Sequence, residues 1–143
     1  MNVISDLDGT LCNTPPGIDY DDPEQLLARC TPRLEVLQRF AALHPEHRLS
    51  VVTARGRHVA HASRQQLQAW LPTLGEDLRV YHRPRLLFDP RHWVNDKAAQ
   101  TRQLEGDVCI GDRPEDRAAA LRAGARFLWD WEFEAHGLGR LGV

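Results

Sequence analysis

Cysteine is scarce in this chain, and what there is forms no cluster. Cys12, Cys30 and Cys109 make no Cys-x-x-Cys pair and leave one thiol over, which argues against both a zinc cluster and a disulfide framework. A reducing cytoplasm is therefore the expected setting. Long apolar runs are missing too: none approaches the roughly 18 residues needed to cross a bilayer, so no membrane association is expected. The first residues enter a strand without the basic leader and apolar segment of a secretion signal. No Gly-x-x-x-x-Gly-Lys-Ser/Thr loop occurs, which excludes a Walker-type nucleotide site. Internal repeats and low-complexity segments are absent. Neither sign of charge dominates, and a net value of −2 gives no global reason to expect a polyanionic partner.

What is present is the composition of one globular domain. A chain of 143 residues, 42% hydrophobic and 27% charged, can bury a substantial core, and a single domain spanning 1–143 is expected. Val3-Ile4, Leu49 to Thr53, Leu78 to Tyr81, Val108 to Ile110 and Phe127 to Trp129 read as strands. Between them, apolar spacing predicts a helix from Leu34 to about Leu43, with Thr31 as its N-cap and Pro32 in its first turn. Further helices are expected from Val59 to Trp70, from Asn95 or Asp96 to Leu104, and from Arg117 to Ala123, where Gly124 stops the last one. Alternating strands and helices imply an α/β fold with a parallel sheet and a helical layer on each face. The connection from Leu11 to Thr31 is too short for a separate cap domain, and the tail from Glu132 reads as partly irregular.

Asp6-Leu7-Asp8-Gly9-Thr10-Leu11 stands where the first strand should end. Ligands bind outside the carboxyl ends of strands in open parallel sheets, so Asp6 and Asp8 would project into a site. Gly9 would let the chain turn sharply and offer bare amide N–H groups, with Thr10, to an anion. Two carboxylates this close repel unless a cation lies between them, and Mg2+ is the usual solution. An Asp-Gly turn is common on its own, and a calcium loop fails because Leu11 and Gly17 stand where glycine and glutamate are required.

Other strands supply partners at the same edge. Thr53 ends the second strand, Asp112 follows the fourth with Asp116 close behind, and Lys97 falls in the first turn of the helix expected at Asn95. A cation there opposes the helix dipole, a local rule-breaking expected at functional sites. The set suits phosphoryl transfer. Asp6 would be the nucleophile and Asp8 the general acid and base. Thr53 would bond a phosphoryl oxygen, Lys97 would offset charge, and Asp112 with Asp116 would complete a Mg2+ site.

Asp-x-Asp-Gly-Thr-Leu, the strand ending in Thr53, the isolated Lys97 and Gly-Asp-x-x-x-Asp from Gly111 to Asp116 together resemble the four motifs of the haloacid dehalogenase (HAD) superfamily of phosphatases. The resemblance implies a Rossmann-like three-layer sandwich with five parallel strands in the order 5-4-1-2-3 and no large cap domain. It further implies that residues 12–30 form the superfamily's squiggle and flap, and that Mg2+ is bound by Asp6, the Asp8 backbone carbonyl and Asp112. More narrowly, Val51 to Arg57, Asn95-Asp96-Lys97 and Ile110 to Arg113 resemble the 3'-phosphatase domain of phage polynucleotide kinases. The chain departs from that pattern in Thr53-Ala54-Arg55 and in a single aspartate before Arg113, and it carries no kinase domain.

Charge distribution bears on the substrate. Arg79, Arg83, Arg85 and Arg91 with His82 and His92 face only Asp89 in the segment from 79 to 92, and Arg55 and Arg57 would extend the track. Backbone phosphates of a nucleic-acid end would lie along it. The expected activity is accordingly a Mg2+-dependent polynucleotide 3'-phosphatase, with kinase or ligase activity left to a separate partner. Two alternatives stand beside it: a phosphatase of a small metabolite or nucleotide whose cap comes from a partner subunit, and a regulatory module that keeps the fold without turnover.

Overall fold

The computed structural model describes residues 1–141. In chain order the elements are β1 (Asn2–Ser5), β2 (Cys12–Asn13), α1 (Pro23–Arg29), β3 (Thr31–Pro32), α2 (Leu34–Ala41) and β4 (Arg48–Gly56). They are followed by α3 (Ala60–Trp70), β5 (Arg79–Arg83), α4 (Pro90–Gln103), β6 (Val108–Gly111), α5 (Pro114–Arg122), β7 (Arg126–Trp129) and α6 (Asp130–His136).

Five strands form one parallel sheet in the order β5-β4-β1-β6-β7. Numbered along the chain, this differs from the expected 5-4-1-2-3, because the short strands β2 and β3 intervene and pair antiparallel in a sheet of their own. From one edge to the other the large sheet runs Arg126–Trp129, Val108–Gly111, Asn2–Ser5, Arg48–Gly56, Arg79–Arg83.

The strands are apolar almost without interruption because both faces are covered, as in parallel sheets generally. Successive side chains point to opposite faces. Val3, Val51, Val108 and Ile110 pack on one side with Leu37, Phe40, Leu67 and Phe133, while Ile4, Val52 and Cys109 pack on the other with Trp93 and Ala120. Each such aliphatic side chain, fully buried, contributes about 1.5–3 kcal/mol of transfer free energy. This accounts for a central strand, β1, that is only four residues long.

Three local expectations give way. Thr31 and Pro32 do not start α2; they pair with Cys12 and Asn13, and α2 begins after Arg33. The helix α4 begins at Pro90, earlier than expected, because the Asp89 side chain accepts from Arg91 N and proline fills the first turn. The tail from Glu132 is not irregular at its start but continues α6 to His136. Residues 12–30, expected as a squiggle and flap, make a strand, a loop and the seven-residue helix α1, whose N-cap Asp22 accepts from Glu24 N.

Candidate active site

The carboxyl edge of the sheet gathers the charged groups. Asp6 leaves β1 and is buried, with its backbone N–H bonded to Ile110 O of β6 at 2.9 Å. Carboxylate oxygens of Asp6, Asp112 and Asp116 lie within 4.8 Å of one another. Lys97 enters from α4, almost wholly buried, with Nζ 2.7 Å from Asp116 Oδ1 and 4.0 Å from Asp6 Oδ1. It does not sit in a first helical turn: α4 starts seven residues earlier, so no clash with the helix dipole arises. Burial alone would lower the Lys97 pKa, but Asp6 and Asp116 overcome it and raise the pKa. Burial drives the Asp6 carboxyl well above the ordinary range, with Asp116 adding to the rise and Lys97 opposing it, and burial raises Asp112 as well. These are carboxylates short of positive charge.

Asp116 is fixed from three sides. Its Oδ2 accepts from Asp112 N at 3.2 Å and Arg113 N at 3.1 Å, the turn entering α5, while Oδ1 holds Lys97. Asp116 thereby also caps the start of α5 through the Arg113 backbone N–H. Asp112 is held by Thr10, whose buried hydroxyl donates to Oδ1 at 3.2 Å. Gly9 has φ +78°, and a Cβ there would fall 2.1 Å from Asp112 Oδ2. Only glycine permits this approach. Thr10 and Gly9 thus face inward in this structure. Gly9 N donates to Cys12 O at 2.9 Å, so this N–H is not bare toward an anion.

Asp8 is gripped by Arg55. Nε donates to Oδ2 at 2.9 Å and Nη2 to Oδ1 at 2.7 Å, while Thr14 Oγ1 donates to Oδ1 at 2.6 Å. Arg55 was expected to extend the basic track beyond the strand end at Thr53. Instead β4 continues to Gly56, and its pairing with β5 jumps from Thr53–His82 to Gly56–Arg83, a bulge that re-aims Ala54 and Arg55. The Arg55 side chain is 0% exposed, and its Nη1 is bound by Gln66 and Ser63 of α3. Thr53 is buried, and its hydroxyl accepts from Arg55 N at 3.1 Å, which leaves its proton to donate.

The basic track is broken at Arg55 and Arg83, while Arg79, Arg91 and His92 stay exposed. Arg83 is buried and donates to Ala54 O and Leu86 O, each at 2.8 Å, and to Arg85 O. Arg85 is exposed but paired with Asp96. Arg57 is exposed. Burial lowers the His82 pKa to about 4, with nearby arginines adding to the effect, so at neutral pH this ring carries no charge. Its Nε2 is buried without a partner.

A cavity of about 370 Å³ opens above the carboxylates. Its floor includes Asp6, Asp8 and Asp116, and its sides include Tyr20, Phe88, Trp93 and Arg113. Sequence reading passed over Arg113, Thr14 and Tyr20 as site residues. Arg113 alone left a signal, lying next to Asp112 in the fourth motif. A second acidic grouping, Asp8 with Cys12 and Cys30, has its oxygens occupied by Arg55 and Thr14.

No protein-family model matches the chain, and neither does any curated protein. Solved structures do. A chain of the Pnkp1/Rnl/Hen1 RNA repair complex superposes with TM-score 0.69 at 14% identity, covering 90% of this chain and 41% of that one. A chain from another structure of the Pnkp1/Rnl/Hen1 complex gives TM-score 0.66 at 13% identity, with 90% and 45% covered. The likeness establishes a shared fold. The present chain spans less than half the length of either neighbour.

Proposed function

We propose that this chain is a Mg2+-dependent phosphomonoesterase of the capless HAD type that acts through an aspartyl phosphate on Asp6, with a nucleic-acid 3'-end as substrate. The observation that carries the reading is the convergence of Asp6, Asp112 and Asp116 with Lys97 at the carboxyl edge of a parallel sheet, where Asp6 and Asp116 line one cavity.

The donors fit Mg2+, since all are hard oxygens and burial, with repulsion from neighbouring carboxylates, raises the pKa values of Asp6 and Asp112 despite Lys97 and Arg113. Asp6, Asp112 and the Asp8 backbone carbonyl would hold the ion, with Asp116 in support, and it would supply charge neutralisation between carboxylate and phosphate. Asp6 Oδ forms a bond to phosphorus as the bond to the alcohol oxygen breaks, and Asp8 gives that oxygen a proton. Asp8 then takes a proton from water, whose oxygen attacks phosphorus, and the Asp6 carboxylate departs. Lys97 offsets charge on Asp6 and the transferring group, and Thr53 donates to a phosphoryl oxygen. Arg55 holds both Asp8 oxygens in this structure, so one of its two hydrogen bonds opens when Asp8 carries the proton.

The nucleic-acid substrate is supported by the shared fold with chains of an RNA repair complex. A separate kinase or ligase partner and a cytoplasmic setting belong to the same reading. A second reading, hydrolysis of a small metabolite or nucleotide, is favoured by a cavity near the lower size limit of ligand pockets and by arginines turned inward. Turnover of 3'-phosphorylated oligonucleotides, 5'-phosphorylated ones, mononucleotides and sugar phosphates, compared with and without Mg2+, separates the readings. The parent protein should prefer the first substrate. Asp6→Asn should lose activity by well over tenfold, and a smaller loss would remove Asp6 as the nucleophile.

A further inference from the structure

Leu86, Leu87 and Phe88 are 76%, 81% and 48% exposed, three large apolar residues in succession on a surface loop. Such runs work against solubility and mark contact sites. The loop is not slack. Arg83, turned inward beneath it, bonds the carbonyls of Arg85 and Leu86, and its guanidinium carbon lies 5.7 Å from the centre of the Phe88 ring. A buried cation therefore holds three apolar side chains out toward water.

Those side chains line the cavity whose floor is Asp6, Asp8 and Asp116. Tyr20, from the loop before α1, and Trp93, from α4, line it as well. We infer that the outer half of this cavity, walled by Tyr20, Leu86, Leu87 and Phe88, binds the planar base of the nucleotide that carries the phosphate. The inference rests on the phosphomonoesterase reading for what occupies the floor. With a phosphate there, whatever is esterified to it must lie against this wall, and a sugar alone would leave the apolar surface wet. A base offers a π-face and a hydrophobic area that match it. The volume suits one nucleotide rather than a length of strand. Arg83 is on this view a positioning residue, which is why its guanidinium faces carbonyls.

The test uses two oligonucleotides with a 3'-phosphate, identical except that one has an abasic terminal residue. The abasic substrate should show about tenfold higher KM with the parent protein, and in Leu87→Ser combined with Phe88→Ser the ratio of the two KM values should fall to about one. A parent indifferent to the terminal base, or a double variant that keeps the ratio, overturns the base site.

A binding readout separates this from failure of the phosphatase reading. In Asp6→Asn protein, 2-aminopurine at the 3'-terminal position should be quenched by stacking, the same label four nucleotides inward should not, and the double serine variant should remove the quenching. Equal signals at both positions overturn the inference. Terminal quenching in a protein that hydrolyses no phosphomonoester supports the base site and sinks only the phosphatase reading. Should the serine pair instead abolish concentration-dependent dimerisation while leaving KM and quenching untouched, the wall belongs to a second copy of the chain and the inference is wrong.

Discussion

Arg55 and Asp8 form a two-pronged ion pair beneath the cavity, at 2.9 and 2.7 Å, with the Arg55 side chain wholly out of solvent. Removing one partner of such a pair leaves an uncompensated charge, which typically costs about 3–5 kcal/mol. Arg55→Met should therefore lower stability by that order in urea unfolding. Arg55→Lys should recover only part, because a single ammonium cannot bridge both oxygens of Asp8 and reach Gln66 as well.

Gly9 and Gly124 have nearly the same positive φ, +78° and +77°, but different neighbours. At Gly124 no atom lies within 4 Å of an added Cβ, so Gly124→Ala should cost only the backbone strain, about 1–2 kcal/mol. At Gly9 the Cβ would displace the Asp112 carboxylate. Gly9→Ala should cost more and should also erase stabilisation by Mg2+, as read by thermal unfolding with the ion added.

Mg2+ should raise the unfolding temperature of the parent, by the equivalent of about 2.7 kcal/mol at a hundredfold excess over its dissociation constant. Asp112→Asn should abolish the shift. In chelator, Asp6→Asn should be more stable than the parent. Burial holds the folded-state pKa of Asp6 well above its ordinary value of 3.8, so the folded state binds more protons and stability falls as pH rises from about 3.8 through the folded value. The advantage of Asp6→Asn should grow across that window, and a constant difference would contradict the placement of Asp6.

His82 works in the opposite direction. Its pKa falls from 6.5 to about 4, so the unfolded chain takes up the proton first and stability is lost as pH drops through that interval. Discounted for incomplete burial, the loss is about 1–2 kcal/mol. His82→Gln should flatten this acid limb in urea unfolding at pH 7 and 4.5.

Salt should matter only moderately to substrate capture. Arg55 and Arg83 are committed to internal partners and Arg85 to Asp96, so of the expected track the exposed Arg57, Arg79 and Arg91 remain to release counterions from a strand. The KM for a 3'-phosphorylated oligonucleotide should rise less than about a hundredfold between roughly 50 and 200 mM salt, against the 10³-fold or more expected of a protein with six or more phosphate contacts.

The clustering of Asp6, Thr53 and Asp112 was legible because each is tied to a strand end. Val3-Ile4 before Asp6, Val52 before Thr53 and Ile110 before Asp112 are apolar runs, and strand ends in a parallel sheet share one edge. Side-chain direction was not legible. Whether Arg55 faces water depends on a bulge that no local pattern announces, and whether Arg83 does depends on carbonyls of a loop folded back over it. Leu86 to Phe88 drew no notice for the same reason: exposure is a property of the folded surface. Asp89-Pro90 was a missed helix start, obscured by the surrounding Arg and Pro residues.

Arg33 joins three parts of the chain that are far apart in sequence. It donates to Gly9 O at 2.9 Å, to Asp130 Oδ2 at 2.7 Å and to Glu134 Oε2 at 2.6 Å, the acids lying 97 and 101 residues further on. Strand β1 likewise waits for β4 and β6 to arrive on either side. During synthesis the loop bearing Asp6 and Asp8 is made well before its clamp, which is completed only when α6 emerges. Ribosome-bound chains that stop short of Asp130 should therefore expose this acidic loop, and with it an interval in which chaperones rather than tertiary contacts keep the nascent sheet from pairing wrongly.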